Sequence, residues 1–263
     1  MSDAALNENV ASVIEAIGSS AFPKALNRMV DAVVPFDFMV IFAYQGNQVP
    51  QDLFDSFPDK RRKKIHIADY QEGPYLLDPF YLASVKPVSP GFYRLRDLAP
   101  DRFYQSEYYR GYYEQTHLAE EVGFFVILPG AVSIVVSLMR KGTVFSAREG
   151  RLLARLFPIV EAACAKNWQD TRPLFNASGQ PRMSKAKRDD ISHVFRQFGG
   201  DTLTPREKEV VEYTLKGHSA DATGKILGIA PGTVRIHRRN IYAKLRIHSQ
   251  GELFSLFIAR LSR

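Results

Sequence analysis

From Val122 to Met139 the chain carries no charged side chain, and Pro129-Gly130 cuts that run at its middle. Proline removes a backbone donor and glycine opens turn conformations, so one continuous helix is excluded. The flanks are rich in Val, Ile and Phe, whose shapes suit a pleated surface. The pattern predicts a strand, a turn and a second strand. A broken run at the lower limit of bilayer length is not a membrane span.

The rest of the chain surrounds this hairpin with helical periodicity. Amphipathic helices are expected near residues 4–17 and 21–33, the second with Ala25, Met29 and Val33 at four-residue spacing. Phe38–Tyr44 reads as a strand, 49–57 as a weaker one, and Phe92–Leu95 as a short one. Helices are expected over 59–70 and 74–84, and a Tyr-rich one over 101–117. Ser146 and Glu149 have capping-box spacing and open a helix to about Trp168. The fold class is therefore α+β, with helices around an antiparallel sheet, comparable in element order to GAF or PAS sensor modules. We expect this domain over residues 1–172.

A length of 263 residues suits two domains, and 45% hydrophobic with 24% charged residues is ordinary for a globular chain. Disordered tails, collagen-like repeats and disulfide mini-scaffolds are excluded. The single Cys164 cannot form an internal disulfide, and the N-terminus lacks the basic start of a secretory signal. The expected location is the cytoplasm.

The breaks at Arg172-Pro173, Ser178-Gly179 and Gln180-Pro181 mark a linker, with a short amphipathic helix over 184–198. Residues 173–200 form that connection, and 201–263 a second, all-α domain. There the chain is basic, with 11 Lys and Arg against 6 Asp and Glu, whereas residues 1–172 carry 19 against 20. A polyanionic partner belongs at this end.

The second domain reads as four helices. Thr204, Pro205 and Glu207 make a dense helix start, Gly217 ends that helix, and Ser219 begins a short one that stops at Gly228. Pro231 opens a third helix to Leu245, and Ser249 caps a fourth over 250–261. A short helix, a glycine turn and a basic helix form the helix-turn-helix pattern. In the third helix Val234, Ile241 and Leu245 share an inward stripe, with Arg235 and Arg239 on the opposite side. Arginine matches guanine O6/N7 bidentately, and Ile236 can touch a thymine methyl. Thr233, His237, Asn240 and Lys244 lie where they could hold the phosphate backbone.

Leu203-Thr-Pro-Arg-Glu-Lys-Glu-Val210, Gly217, Leu227-Gly-Ile229, Thr233-Val234, His237, Ile241, Lys244-Leu245 and Ser249 closely resemble the DNA-binding domain of LuxR-type regulators. The resemblance implies a third helix in the major groove of a double-stranded DNA operator and a fourth that supports a homodimer. It places Arg235, Ile236 and Arg239 on base edges, and Thr233, His237 and Lys244 on the DNA backbone. RNA polymerase follows as a further partner of such a regulator. Ser219-Ala-Asp-Ala-Thr-Gly224 departs from the family's Ser-Asn-Lys-Glu-Ile-Ala, so Asp221 cannot make a lysine's phosphate contact. Arg246 also replaces the glycine usual after the recognition helix.

The N-terminal domain lacks a phosphoryl receiver's opening strand and acidic pair, and no G-x-x-x-x-G-K-[ST] occurs. Tyr70, Asp78-Pro79 and Phe92-Tyr93 resemble landmarks of the acyl-homoserine-lactone receptors, without their ligand tryptophans. A small-molecule effector is the partner that resemblance implies, with Tyr70, Asp78, Tyr93, Tyr104 and Tyr108 as candidate ligand residues. Asp78 reads equally well as a helix cap, and the Tyr104, Tyr108, Tyr112 stripe as packing. The alternative is a ligand-independent regulator whose N-terminal domain dimerises or binds a protein. No H-E-x-x-H, C-x-x-C or G-x-S-x-G spacing occurs, so neither catalysis, a metal nor a cofactor is expected.

Overall fold

The computed structural model of the chain describes residues 3–86, 88–171, 174–175 and 191–261. Two compact units emerge. The first comprises residues 1–63, 83–98 and 117–182, and the second 64–82, 99–116 and 183–263.

The first unit is built on a five-stranded antiparallel sheet. Its strands are β1 (Phe38–Gln45), β2 (Gln51–Asp55), β3 (Gly91–Arg94), β4 (Leu118–Leu128) and β5 (Val132–Lys141), ordered β2-β1-β5-β4-β3. The uncharged run forms the central β4–β5 hairpin, with Gly130 and Ala131 at positive φ in the turn and Phe124 opposite Val136. Strand residues alternate between faces. Met39, Ile41, Ala43, Phe124, Val126, Ile134 and Val136 pack one face against three helices. These are α1 (Asp3–Ala16), α2 (Phe22–Val33) and the long helix Ala147–Asn167.

On that long helix Leu153, Leu156, Val160, Ala163 and Cys164 are buried, and the Ser146–Glu149 capping box closes as expected. Leu152 and Ile159 beside them are partly buried. Burial pushes the Cys164 thiol up, consistent with inert packing. The residues of β4 and β5 on the other face are also largely buried, including Phe125, Ser133, Val135 and Ser137.

Three expected helices require correction, and the one over 74–84 is a 3-10 turn at Pro74–Leu77 followed by an α-helix at Pro79–Val85. The helix expected over 59–70 is α-helical only at Lys60–Lys63 and continues as a wider π turn over Lys64–Asp69. The Tyr-rich helix expected over 101–117 is three short pieces: a 3-10 turn at Phe103–Gln105, a π turn at Tyr109–Tyr113 and a 3-10 turn at Glu114–Thr116. Ser106 adopts an extended backbone and its hydroxyl accepts the Tyr109 N–H at 3.2 Å, which ends one turn and begins the next. Tyr104 and Tyr108 therefore do not share one exposed face. Tyr104 is 49% exposed whereas Tyr108 is buried, and both rings meet Phe103.

Further α-helices fall in both units. We label α3 (Pro79–Val85), α4 (Ala147–Asn167), α5 (Ile191–Gln197), α6 (Pro205–Leu215), α7 (Ala220–Leu227), α8 (Pro231–Leu245) and α9 (Gln250–Leu261). The linker expected over 173–200 lies largely outside the described residues; its helix is seen from Ile191. Phe195 stacks on Phe257 at 4.8 Å and Phe198 meets the same ring at 5.7 Å.

Candidate nucleic-acid interface

Local chemistry accounts for the helix-turn-helix boundaries. The Thr204 hydroxyl accepts the Glu207 N–H at 3.3 Å, while the Glu207 carboxylate accepts the Thr204 N–H at 2.8 Å. Those bonds satisfy two donors that the first turn of α6 leaves free. Ser219 caps α7 through the Ala222 N–H at 3.0 Å, and Gly228 closes it at φ +67. A second carboxylate assists there: Asp101 accepts the Ser219 N–H at 3.0 Å. Pro231 starts α8 where no donor is needed.

The third helix separates its faces by burial. Val234 and Ile241 are fully buried and Leu245 is half-buried. Thr233, Arg235, Ile236, Arg239, Asn240 and Lys244 are exposed, and His237 is half-buried. Ile236 is 51% exposed. The Arg235 guanidinium stands 4.0 Å from Asp221, with both side chains about two-thirds exposed. Such a pair is worth little in water and leaves Arg235 available.

Two cations of α8 are used within the fold. Lys244 donates to Glu207 at 2.7 Å. Burial pushes the Glu207 carboxyl up, but Lys244 and both Thr204 donors outweigh it and hold it below its ordinary value. Arg238 turns back toward α6, its Nε donating to the Thr214 hydroxyl and a terminal nitrogen to the His218 carbonyl, each at 3.0 Å. A third tie joins α6 to α7: Arg206 donates to the Leu227 carbonyl at 2.6 Å. Sequence reasoning did not find the contacts of Arg238 with Thr214 and His218, or of Glu207 with Lys244, which span 20 to 37 residues.

The candidate effector residues fall into separate groups. The Tyr70 hydroxyl donates to Asp78 Oδ2 at 2.6 Å, and the Phe80 N–H donates to Oδ1 at 2.9 Å, at the start of α3. Asp78 thus has a helix-capping contact, one of the two roles its sequence context allowed. Tyr104 and Tyr108 belong to the cluster around Phe103. Tyr93, in the first unit, donates to the Ser89 carbonyl at 2.8 Å and meets Phe125 edge-on. The sheet face away from α1, α2 and α4 carries one polar pair that the sequence did not single out, Ser137 donating to Glu121. Among the described residues no group of three or more His, Cys, Asp or Glu could hold a metal ion. No helix among them is long and apolar enough to cross a membrane.

Residues 201–257 match the profile of bacterial regulatory proteins of the luxR family. An HTH-type transcriptional regulator encoded in the exeN 3′ region of Aeromonas salmonicida is 33% identical over 186 residues, 70% of this chain and 94% of that protein. The VqsR LBD domain from Pseudomonas aeruginosa is similar with a TM-score of 0.55 and 26% identity, over 62% of this chain and 96% of that one. Escherichia coli SdiA aligns over 99% of this chain and 98% of its own, at 14% identity and a TM-score of 0.43. That last likeness is too low to support structural argument.

Proposed function

The chain belongs to the luxR family of bacterial regulatory proteins, and on that premise we propose how it reads DNA and what its sheet-containing unit does. It is a DNA-binding transcriptional regulator, not an enzyme. In our reading α8 enters the major groove, with Arg235, Ile236 and Arg239 on base edges. Thr233, His237 and Asn240 hold the phosphate backbone, together with the donors of Lys244 that Glu207 leaves free. The observation carrying this reading is the division of α8: Val234 and Ile241 are fully buried while Arg235, Ile236 and Arg239 stand in solvent.

The experiment is binding to a duplex selected from a randomised pool, with base-pair variants of it. Arg235→Ala and Arg239→Ala are each expected to cost about 1–3 kcal/mol and to relax preference at particular base pairs. Uniform loss across all duplex variants would refute the base contacts.

We further propose that the N-terminal part of the chain, residues 1–172, takes a small-molecule effector, which the likeness to the VqsR LBD domain supports. An effector amine or amide at Asp78 would join the Tyr70 hydroxyl and the Phe80 N–H, since each carboxylate oxygen can accept more than one hydrogen bond. In the second reading, this part of the chain dimerises or binds a protein without an effector. Native mass spectrometry of the purified chain separates the two. A co-purified small molecule whose retention Asp78→Asn or Tyr108→Phe reduces supports the first.

A further inference from the structure

α8 presents three arginines, and only two of them point outward. Arg235 and Arg239 are four residues apart and share a face, while Arg238 lies on the flank and is half-buried. An arginine on a recognition helix is ordinarily read as a DNA contact. Here two of its donors are already engaged, in two directions. Nε meets the Thr214 hydroxyl oxygen on α6, and a terminal nitrogen meets the carbonyl of His218 in the turn before α7, both at 3.0 Å.

Both acceptors are themselves held. Thr214 is 1% exposed and spends its own proton on the Val210 carbonyl at 2.6 Å, so its oxygen can only accept toward Arg238. The His218 N–H is tied to the Tyr213 carbonyl at 2.9 Å, and Gly217 precedes it at φ +91. The next residue, Ser219, caps α7. One planar fork therefore joins the body of α6, the turn before α7 and the middle of α8. A lysine, with one nitrogen on a flexible stem, does not reproduce two divergent donors.

This geometry bears on reading because bidentate recognition is directional. Hydrogen bonds weaken steeply as donor and acceptor move out of line. Arg235 and Arg239 can meet base edges in register only if the axis of α8 is fixed relative to the elements that seat it on the backbone. Val234 and Ile241 hold α8 by apolar burial, which is non-directional and tolerates rotation. Arg238 supplies a directional constraint between them.

We propose that Arg238 is a positioning residue for operator recognition, holding α8 against α6 and the turn before α7 so that its outward side chains meet bases in register. The inference rests on the assignment of Arg235, Ile236 and Arg239 to base edges.

The test uses the full chain and two duplexes: one selected from a randomised pool by the unsubstituted protein, and a scrambled one of equal length. Affinity for both is measured across salt concentrations, below the melting temperature of each variant. Arg238→Met is expected to lower the ratio of selected to scrambled affinity by roughly tenfold, the discrimination carried by one good base contact. The salt dependence on the scrambled duplex stays unchanged. Thr214→Val keeps the positive charge and removes one acceptor, so it lowers the ratio in the same direction, and the double variant loses no more than Arg238→Met alone.

A salt slope reduced by about one with the ratio intact makes Arg238 a phosphate ligand and overturns the proposal. A lower melting temperature with the ratio intact makes it structural and overturns it equally. If Arg238→Met does not fold, Thr214→Val decides, and a full ratio there is refutation. Arg235→Ala run in parallel separates this from a failure of the base assignment. If that variant keeps the full ratio, the assignment itself is wrong, whatever Arg238→Met does.

Discussion

Burial pushes the Asp78 carboxyl up to about 6, against the Tyr70 hydroxyl and the Phe80 N–H, which both favour its ionised form. Unfolded, the group titrates near its ordinary 3.8, so the folded chain binds this proton more tightly. Its contribution to stability is therefore greatest below pH 4, falls as pH rises toward 6 and is level above. Asp78→Asn is expected to remove that fall. Its melting temperature relative to the unsubstituted chain should rise between pH 4 and 6.5, and a difference independent of pH would refute the assignment. Glu207 has the opposite sign. Its carboxyl lies below the ordinary 4.5, so the stability it contributes is present above pH 4.5 and is lost as pH falls through its folded value. Lys244→Met leaves a carboxylate whose side chain is 4% exposed without its cation. We expect a loss of about 1–3 kcal/mol at pH 7, shrinking in acid, measured by denaturant unfolding.

At the scale of elements, two residues in the second domain contradict local propensity, and tertiary geometry explains one of them. Gly224 lies inside α7, where alanine would ordinarily be better by about 1 kcal/mol. A Cβ there would sit 2.6 Å from the carbonyl oxygen of Ile229, and the Gly224 carbonyl also accepts the Ile229 N–H. The residue that departs from the usual alanine thus lets the turn between α7 and α8 close against the helix. Gly224→Ala is expected to destabilise rather than stabilise. Arg246 is the reverse case, a non-glycine cap of α8 at φ +55. Nothing in its contacts requires a side chain in the left-handed region, so Arg246→Gly should stabilise by about 1 kcal/mol. Thermal melts of both variants check the pair, and the same sign for both would refute the argument. The broken Tyr-rich segment belongs to this scale as well. Its spacing suggested one helix, yet the Ser106 side chain competes for the Tyr109 N–H and the rings close around Phe103.

For the whole molecule, the expected assembly is a homodimer on paired half-sites. Leu253 and Phe257 are buried within the fold, whereas Leu256 is 42% exposed beside a cleft of about 440 Å³ lined by Leu245 and Arg260. The apolar surface left for a second copy is therefore smaller than Leu253, Leu256 and Phe257 together would offer. Leu256→Asp is expected to shift sedimentation toward monomer and to reduce a two-half-site footprint to weak single sites. An unchanged footprint with unchanged mass would exclude this face. What the sequence by itself determined is the set of features settled within a few residues: the β4–β5 hairpin at Pro129-Gly130, the caps at Ser146, Thr204, Ser219 and Ser249, and the inward and outward stripes of α8. Each depends on backbone donors satisfied by a neighbour three residues on, or on the fixed periods of helix and strand. Only the tertiary structure decided that Tyr70 meets Asp78, that Lys244 neutralises Glu207 and that Arg238 turns inward. Those outcomes depend on which distant acceptor lies within about 3 Å, and side-chain spacing along one helix cannot encode the position of another.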